Sequence, residues 1–412
     1  MNLKIDQERL VSEIEALSAF SDAEPPAVTR IVFTPADLKA RAWTKARCEE
    51  AGLAVRVDAV GNTFARWIGS DAAAPVVGTG SHIDAIPNAG KYDGVVGVLG
   101  GLEAIRALQR AGFCPKHSIE LLIFTAEEPT RFGIGCLGSR LLSGSLSAED
   151  AEKLTDNQGA SVDHARRQAG LTGDLHQVRL PDGHYKAFVE LHIEQGPLLE
   201  QEGKGLGVVE RIAAPASLRV LVEGSGGHAG GVLMSQRRDA LCAAAELILA
   251  VEQAARSSGS ADTVATVGLC DVFPGAVNSI PAKVRLTVDV RDTDLQRRDG
   301  VLQALDEACR EISARRQVAV HADLLNADAP ADCGPAVVAA LSRACEKHGF
   351  SFLPMTSRAY HDSLFISRVA PSAMLFIPCR NGYSHRPDEY ASPEDIGRGT
   401  LVLAEALATL ST

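Results

Sequence analysis

The chain is predicted to fold as an α/β protein, with a mostly parallel sheet carrying helices on both faces and a smaller α+β sandwich inserted after it. Two patterns lead there. From about Leu53 to Ile193 short apolar runs alternate with amphipathic stretches: VVGTGS (Val76–Ser81) and IELLIFT (Ile119–Thr125) read as buried strands, and Gly94–Ala111 between them has helical periodicity. That is a strand–helix–strand crossover, the unit of a parallel sheet, in which function gathers at the carboxyl ends of strands. The texture then changes near Ala213, where AAPASLRVLVEGSGG begins a strand after a proline-containing connection.

Taken in order, the insert reads as strand Leu218–Glu223, helix Arg237–Glu252, strand Thr263–Cys270, long strand Val277–Arg291, helix Leu295–Arg315 and strand Val318–Ala322. Turn-rich Asn326–Pro335 returns the chain, so the larger domain is expected over residues 1–212 and 327–412 and the insert over 213–326. A length of 412 residues is long for one compact domain and agrees with two.

Composition narrows the function. The net charge of −11 and the lack of a Lys/Arg cluster exclude nucleic acid and an anionic membrane surface as partners, so an acidic substrate needs a locally positive pocket. Nine cysteines, an odd number with no Cys-x-x-Cys pair, fit neither a disulfide framework nor a zinc ribbon and read as reduced, mostly buried thiols. No apolar stretch approaches the ~20 residues that span a bilayer, and the first residues lack an apolar signal core. The expected compartment is the cytoplasm.

The chemistry sits after the strands. VVGTGS runs into His82-Ile83-Asp84, and Asp93 follows in the turn NAGKYDG; an imidazole at a strand end can coordinate a metal while a nearby carboxylate fixes its tautomer. IELLIFT ends in Ala126-Glu127-Glu128-Pro129, two carboxylates that point different ways, so that one can bind a cation and the other face a polarised water. AFVELHIEQGP adds His192 and SHRPDEY adds His385. Each feature alone is more often an ordinary surface or structural group. Together His82, Asp93, Glu128, His192 and His385 make a nitrogen/oxygen set without thiolate that suits Zn, Mn or Co, with one carboxylate able to bridge two ions and Glu127 left over as general base.

GTGSHIDAIPNAGKYDGVVGVLGG, FTAEEPTRFGIGCLGSRLL, VELHIEQGPLLE, GHAGGVLMSQRRDAL, GAVNSIPAKVRLTVDVRD, SRAYHDSLF and GYSHRPDEYASPED together resemble the amidase branch of the two-metal aminoacylase/carboxypeptidase family, in the family's order and over nearly the whole chain. That branch holds the enzymes that hydrolyse allantoate, N-carbamoyl-L-amino acids and β-ureidopropionate. Within it KYDGVVGVLG, IAAPASL, SRAYHDSLF and the PC-GYSH run look most like the members that cleave ureidoglycolate.

The resemblance implies a catalytic larger domain and an insert that serves as lid and dimer interface. It implies two divalent ions per subunit, Mn²⁺ first, with Zn²⁺, Co²⁺ or Ni²⁺ as substitutes. Asp93 would bridge the ions, His82 and His192 complete one site, and Glu128 and His385 the other. Asp84 would orient His82, and Glu127 would take a proton from the attacking water and pass it to the leaving nitrogen. A cis peptide is expected at Asp93–Gly94. Arg291 matches the family's carboxylate clamp, a task suited to a guanidinium fork. Gln195, Asn278 and His361 match positions that bind the substrate's polar groups. His228 matches a histidine that helps hold the oxyanion in the neighbouring subunit's site, and Asn278 is expected to reach that site with it in a homodimer.

The expected reaction is hydrolysis of the ureido C–N bond of ureidoglycolate to glyoxylate, ammonia and CO₂; the alternative is an N-carbamoyl-L-amino acid, allantoate or β-ureidopropionate substrate. Gly231-Val232-Leu233-Met234 and Ser357-Arg358-Ala359-Tyr360-His361 depart from the carbamoylase pattern Thr-Thr-Pro-Met and Ser-Gly-Ala-Gly-His, which favours the ureidoglycolate reading. A metal-free binding homologue is the rival from another class, opposed by the intact ligand set.

Overall fold

A computed structural model describes residues 2–412. The chain divides into two compact units, one of residues 1–210, 332–355 and 361–412, the other of 211–331 and 356–360.

The first unit is built on a nine-stranded sheet. Its four central strands, Ser372–Ile377, Tyr185–Ile193, Val76–His82 and Ile119–Phe124, are neighbours in that order and all parallel. Antiparallel strands flank them: Leu206–Ile212 beside Ser372–Ile377, then Thr63–Trp67 and Ala54–Val57 beyond Ile119–Phe124. Val76–His82 and Ile119–Phe124 are buried along their whole length, as strands covered on both faces must be.

Alternate side chains serve the two faces. Phe124, Phe188 and Leu122 pack into a core with Leu137, Leu141, Val162 and Phe33. On the opposite face the helix Val95–Arg110 lies so close that a Cβ at Gly97 would stand 2.3 Å from the Leu191 carbonyl oxygen, and one at Gly101 2.9 Å from Leu121. Glycine at these positions is what lets the crossover helix seat on the strands. The C-terminal helix Pro393–Leu410 starts at a capping serine, Ser392, with proline in its first turn, and seals the same face.

The second unit is a four-stranded antiparallel sheet in the order Val264–Phe273, Lys283–Asp292, Ala214–Glu223, Ala319–Ala327. Helices Ala240–Arg256 and Leu295–Arg316 cover one face, where Val220, Val222, Leu247, Val284, Leu286, Val288 and Leu305 form the core. The strict alternation of buried and open positions along Lys283–Asp292 reflects this one-sided cover. The single long strand expected over Val277–Arg291 is in fact broken: Ser279–Ile280 pairs with Gly227–His228, and the main strand begins at Lys283. Pro281 lacks the N–H that a continuous ladder needs.

All nine cysteines are free, six of them buried. Among the described residues no helix is long and apolar enough to cross a membrane.

Candidate metal centre

The central strands deliver their polar residues to one place. His82 closes its strand, His192 lies one residue before the end of its own, and Glu127 and Glu128 follow Phe124 after a turn at Ala126, which adopts a left-handed φ of 54°. That turn sends both following N–H groups to one acceptor: Glu127 and Glu128 donate to the two carboxylate oxygens of Asp84, at 3.3 and 3.0 Å.

Asp93 stands at the centre. Its Oδ1 lies 3.4 Å from His82 Nε2 and 3.3 Å from His192 Nε2, while its Oδ2 lies 3.5 Å from His385 Nε2. His385 Nε2 is also 3.3 Å from Glu128 Oε1. Two of the three ligand groups here share Asp93, namely His82–Asp93–His192 and Asp93–Glu128–His385, and the third is Glu190–His192–His361; within each the donor atoms lie within 4.8 Å of one another. Glu127 belongs to none of them; its Oε2 is 3.8 Å from His82 Nε2 and its Oε1 accepts from the Cys136 thiol at 3.6 Å.

The imidazoles are aimed by backbone. His82 Nδ1 lies 3.0 Å from the Asp84 carbonyl oxygen and His192 Nδ1 2.9 Å from that of Ile193, so hydrogen-bond assignment puts the N–H there and turns each Nε2 lone pair toward Asp93. Asp84 therefore meets His82 through its carbonyl; its carboxylate, 3.8 Å from the ring, is occupied by the two glutamate N–H groups. Lone pairs converging on a carboxylate repel unless a proton or a cation lies between them.

The electrostatics say the same. Burial opposes charge on Asp93, yet His192 and His82 outweigh it and hold the carboxyl well below the usual range. Burial likewise opposes charge on His82, and Glu127, Asp93 and Asp84 drive it well upward. The hydrogen bond to Glu128 pushes His385 up to about 9. Burial pushes Glu127 well above the usual carboxyl range, with Glu128, Asp362 and Asp84 adding to it against His82. Among the described residues no Lys or Arg forms an ion pair with Asp93, Glu127 or Glu128. Divalent cations fit this donor set.

The remaining predicted residues divide between the units. Gln195 Nε2 donates to Asp93 Oδ2 at 2.6 Å, and the buried His361 ring lies 4.4 Å from that of His192. His228, Asn278 and Arg291 belong to the second unit. His228 and Asn278 are exposed neighbours, the Asn278 carbonyl accepting from Ala229 N–H at 2.8 Å. Arg291 Nε donates to Asp289 Oδ1 at 2.7 Å.

One expectation is corrected. The cis peptides among the described residues are Pro25–Pro26 and Phe273–Pro274, and Asp93–Gly94 is not one of them. Gly94 closes this turn with a positive φ of 65°, which aims its N–H at His192 Nε2, 3.1 Å away.

Sequence reasoning missed several supports. Glu190, fully buried, accepts from Ser81 Oγ at 2.8 Å and from Ser363 N–H at 3.1 Å, joining the segments that carry His82, His192 and His361. Ser384 and Glu389 brace Asp93. All three lie inside runs quoted for other residues, and burial inside a polar run is the signal that sequence alone does not display.

The Arabidopsis thaliana protein named ureidoglycolate hydrolase is 52% identical over 417 aligned residues, covering 100% of this chain and 88% of that protein. Crystal structures of AtUAH in complex with (S)-hydroxyglycine and with glyoxylate each match with a TM-score of 0.93 at 52% identity, over 99% of this chain and 98% of the other. An N-carbamoyl-L-amino acid amidohydrolase of Geobacillus stearothermophilus is 38% identical over 97% of both proteins. The pattern that defines the peptidase family M20/M25/M40 matches residues 78–409, a span that opens in the strand leading to His82 and includes every side chain of the two ligand groups. By that match and by relatives of this identity and coverage, the chain belongs to the peptidase family M20/M25/M40.

Proposed function

We propose that the chain hydrolyses the ureido C–N bond of ureidoglycolate, giving glyoxylate, ammonia and CO₂, with two divalent cations, Mn²⁺ first, held around Asp93. The observation that carries this reading is a buried aspartate shared by two nitrogen/oxygen groups, with an unassigned glutamate beside them. The substrate comes from the relatives: those at 52% identity are named for ureidoglycolate, whereas the carbamoylase stands at 38%. Bound cations would lower the pKa of water and polarise the ureido carbonyl.

The chain's own residues do the rest. His82, His192 and Asp93 would hold one ion, and Asp93, Glu128 and His385 the other. Glu127, its backbone fixed by Asp84, takes a proton from water at its carboxylate and returns it to the departing nitrogen; a carboxyl pushed upward by burial suits that exchange. Water adds to the ureido carbonyl and the terminal nitrogen leaves as ammonia; the carbamate left on the other nitrogen loses CO₂ to give hydroxyglycine, which expels a second ammonia to give glyoxylate, in line with the two compounds named in the AtUAH complexes. Gln195 and His361 flank the site from the first unit. Arg291 clamps the substrate carboxylate once that anion takes the place of Asp289.

A homodimer would complete the site with His228 and Asn278. Supporting this, Val277 beside Asn278, and Leu233 and Met234 in the segment that follows His228, are among the exposed large apolar side chains. The proposed compartment is the cytoplasm, in keeping with nine free cysteines.

The test is product release by Mn²⁺-loaded protein from (S)-ureidoglycolate, allantoate, an N-carbamoyl-L-amino acid and β-ureidopropionate. Ureidoglycolate should give the highest kcat/KM. A higher value on any of the other three overturns the substrate assignment, and no turnover on all four overturns the reaction.

A further inference from the structure

Glu389 is a carboxylate deep in the first unit, only 4% exposed, that belongs to none of the ligand groups. Its Oε1 accepts two backbone N–H groups, from Tyr92 at 2.8 Å and Asp93 at 3.1 Å. Its Oε2 lies 2.9 Å from Ser384 Oγ, and that hydroxyl is 2.5 Å from Asp93 Oδ2. One side chain thus grips the turn that carries Asp93 and, through the residue before His385, the loop that carries the last imidazole. The two segments are 296 residues apart in sequence.

The surroundings are shaped for it. Gly90 lies against Glu389 so closely that a Cβ there would stand 2.3 Å from the Glu389 Cβ and 2.5 Å from its carboxyl oxygen. The neighbouring rings of Tyr92 and Tyr390 meet edge-on, centroids 5.9 Å apart, and close the same seam.

We infer that Glu389 is a positioning residue for the shared aspartate: with Ser384 it locks the Asp93 turn to the His385 loop, so that one carboxylate presents an oxygen to each ligand group. The inference rests on the reading that these groups hold cations. Asp93 serves both groups only if its carboxylate plane and the His385 backbone keep one setting, and the backbone of neither is anchored by the strands that fix His82 and His192. Groups that orient ligands are worth roughly 10- to 100-fold in metal affinity.

The experiment is titration of the chelator-stripped full chain with Mn²⁺ by calorimetry, alongside the thermal midpoint of the metal-free protein. Wild type should take up two Mn²⁺. Glu389→Ala, compared at a temperature below the metal-free midpoint of either chain, should bind roughly 10- to 100-fold more weakly. Glu389→Gln should stay close to wild type, because the amide oxygen can accept both N–H groups and the amide N–H can reach Ser384 Oγ. Gly90→Ala, whose added methyl has Glu389 atoms as its three nearest neighbours, should weaken binding as Glu389→Ala does, and it decides the question if Glu389→Ala fails to fold. Wild-type uptake with Gly90→Ala or Glu389→Ala within twofold of it overturns the clamp alone, as does a Gln variant no better than Ala. A wild-type chain that takes up no Mn²⁺ overturns the cation reading and the clamp with it.

Discussion

The two ends of the same parallel strands bury acid in opposite ways. At the amino end, Glu120, second in its strand, has Arg66 Nε and Tyr185 Oη each 2.8 Å from its carboxylate and His184 Nε2 at 3.3 Å. Burial alone would raise it, but hydrogen bonds from His184, Arg66 and Tyr185 win and hold it below the usual range. At the carboxyl end Asp84, Asp93, Glu127 and Glu128 crowd together with imidazoles and amides as their neighbours. Glu120 is neutralised by its own chain and serves the fold. The acids at the other end form no ion pair with Lys or Arg among the described residues, and a buried carboxylate left that way is costly unless a proton or a cation binds.

The largest effect that would break this contrast is expected at Glu127. Glu127→Gln should retain bound Mn²⁺ by elemental analysis while kcat on ureidoglycolate falls by about 10²- to 10⁴-fold, the usual weight of a general base. Near-normal turnover would make Glu127 a structural acid like Glu120.

Arg291 tests the contrast from the second unit. Its pairing with Asp289 looks like the Arg66–Glu120 arrangement, yet it is assigned a substrate. Arg291→Lys should raise KM roughly tenfold with kcat less affected, since a point charge cannot reproduce the bidentate fork. A lowered thermal midpoint with unchanged KM would place it with the structural pairs instead.

The smallest effect sharpens the amino end. Glu120→Gln should cost on the order of 1 kcal/mol at pH 7, a modest value because Arg66 is partly exposed. Glu120 is held below its ordinary 4.5, so its contribution is fully present above that value and is lost as pH falls through the lower folded value. The gap between wild-type and variant unfolding free energies should therefore narrow below about pH 4.5. A gap that widens with acid would show that the native carboxyl prefers its proton.

Much of this was legible in the residues. The crossover read from VVGTGS and IELLIFT is the pair of parallel strands in the structure, because fully buried strands leave a mostly apolar trace, here followed by His82 and by Glu127–Glu128. Those ends are where His82 and Glu127–Glu128 lie, and Asp93, His192 and His385 gather with them. What escaped was partly local: Pro281, inside the expected long strand of the insert, breaks it. The turn at Asp93 is closed by Gly94 through φ rather than by a cis bond.

By itself the sequence determined the layered α/β class, the chemistry of the donor set and the strand ends that bear it, because periodicity and residue type are local properties. Only the tertiary structure decided that Asp84 spends its side chain on two N–H groups and that Glu389 reaches across 296 residues to brace Asp93. Those roles depend on distances of about 3 Å between segments far apart in the chain, and packing alone sets such distances.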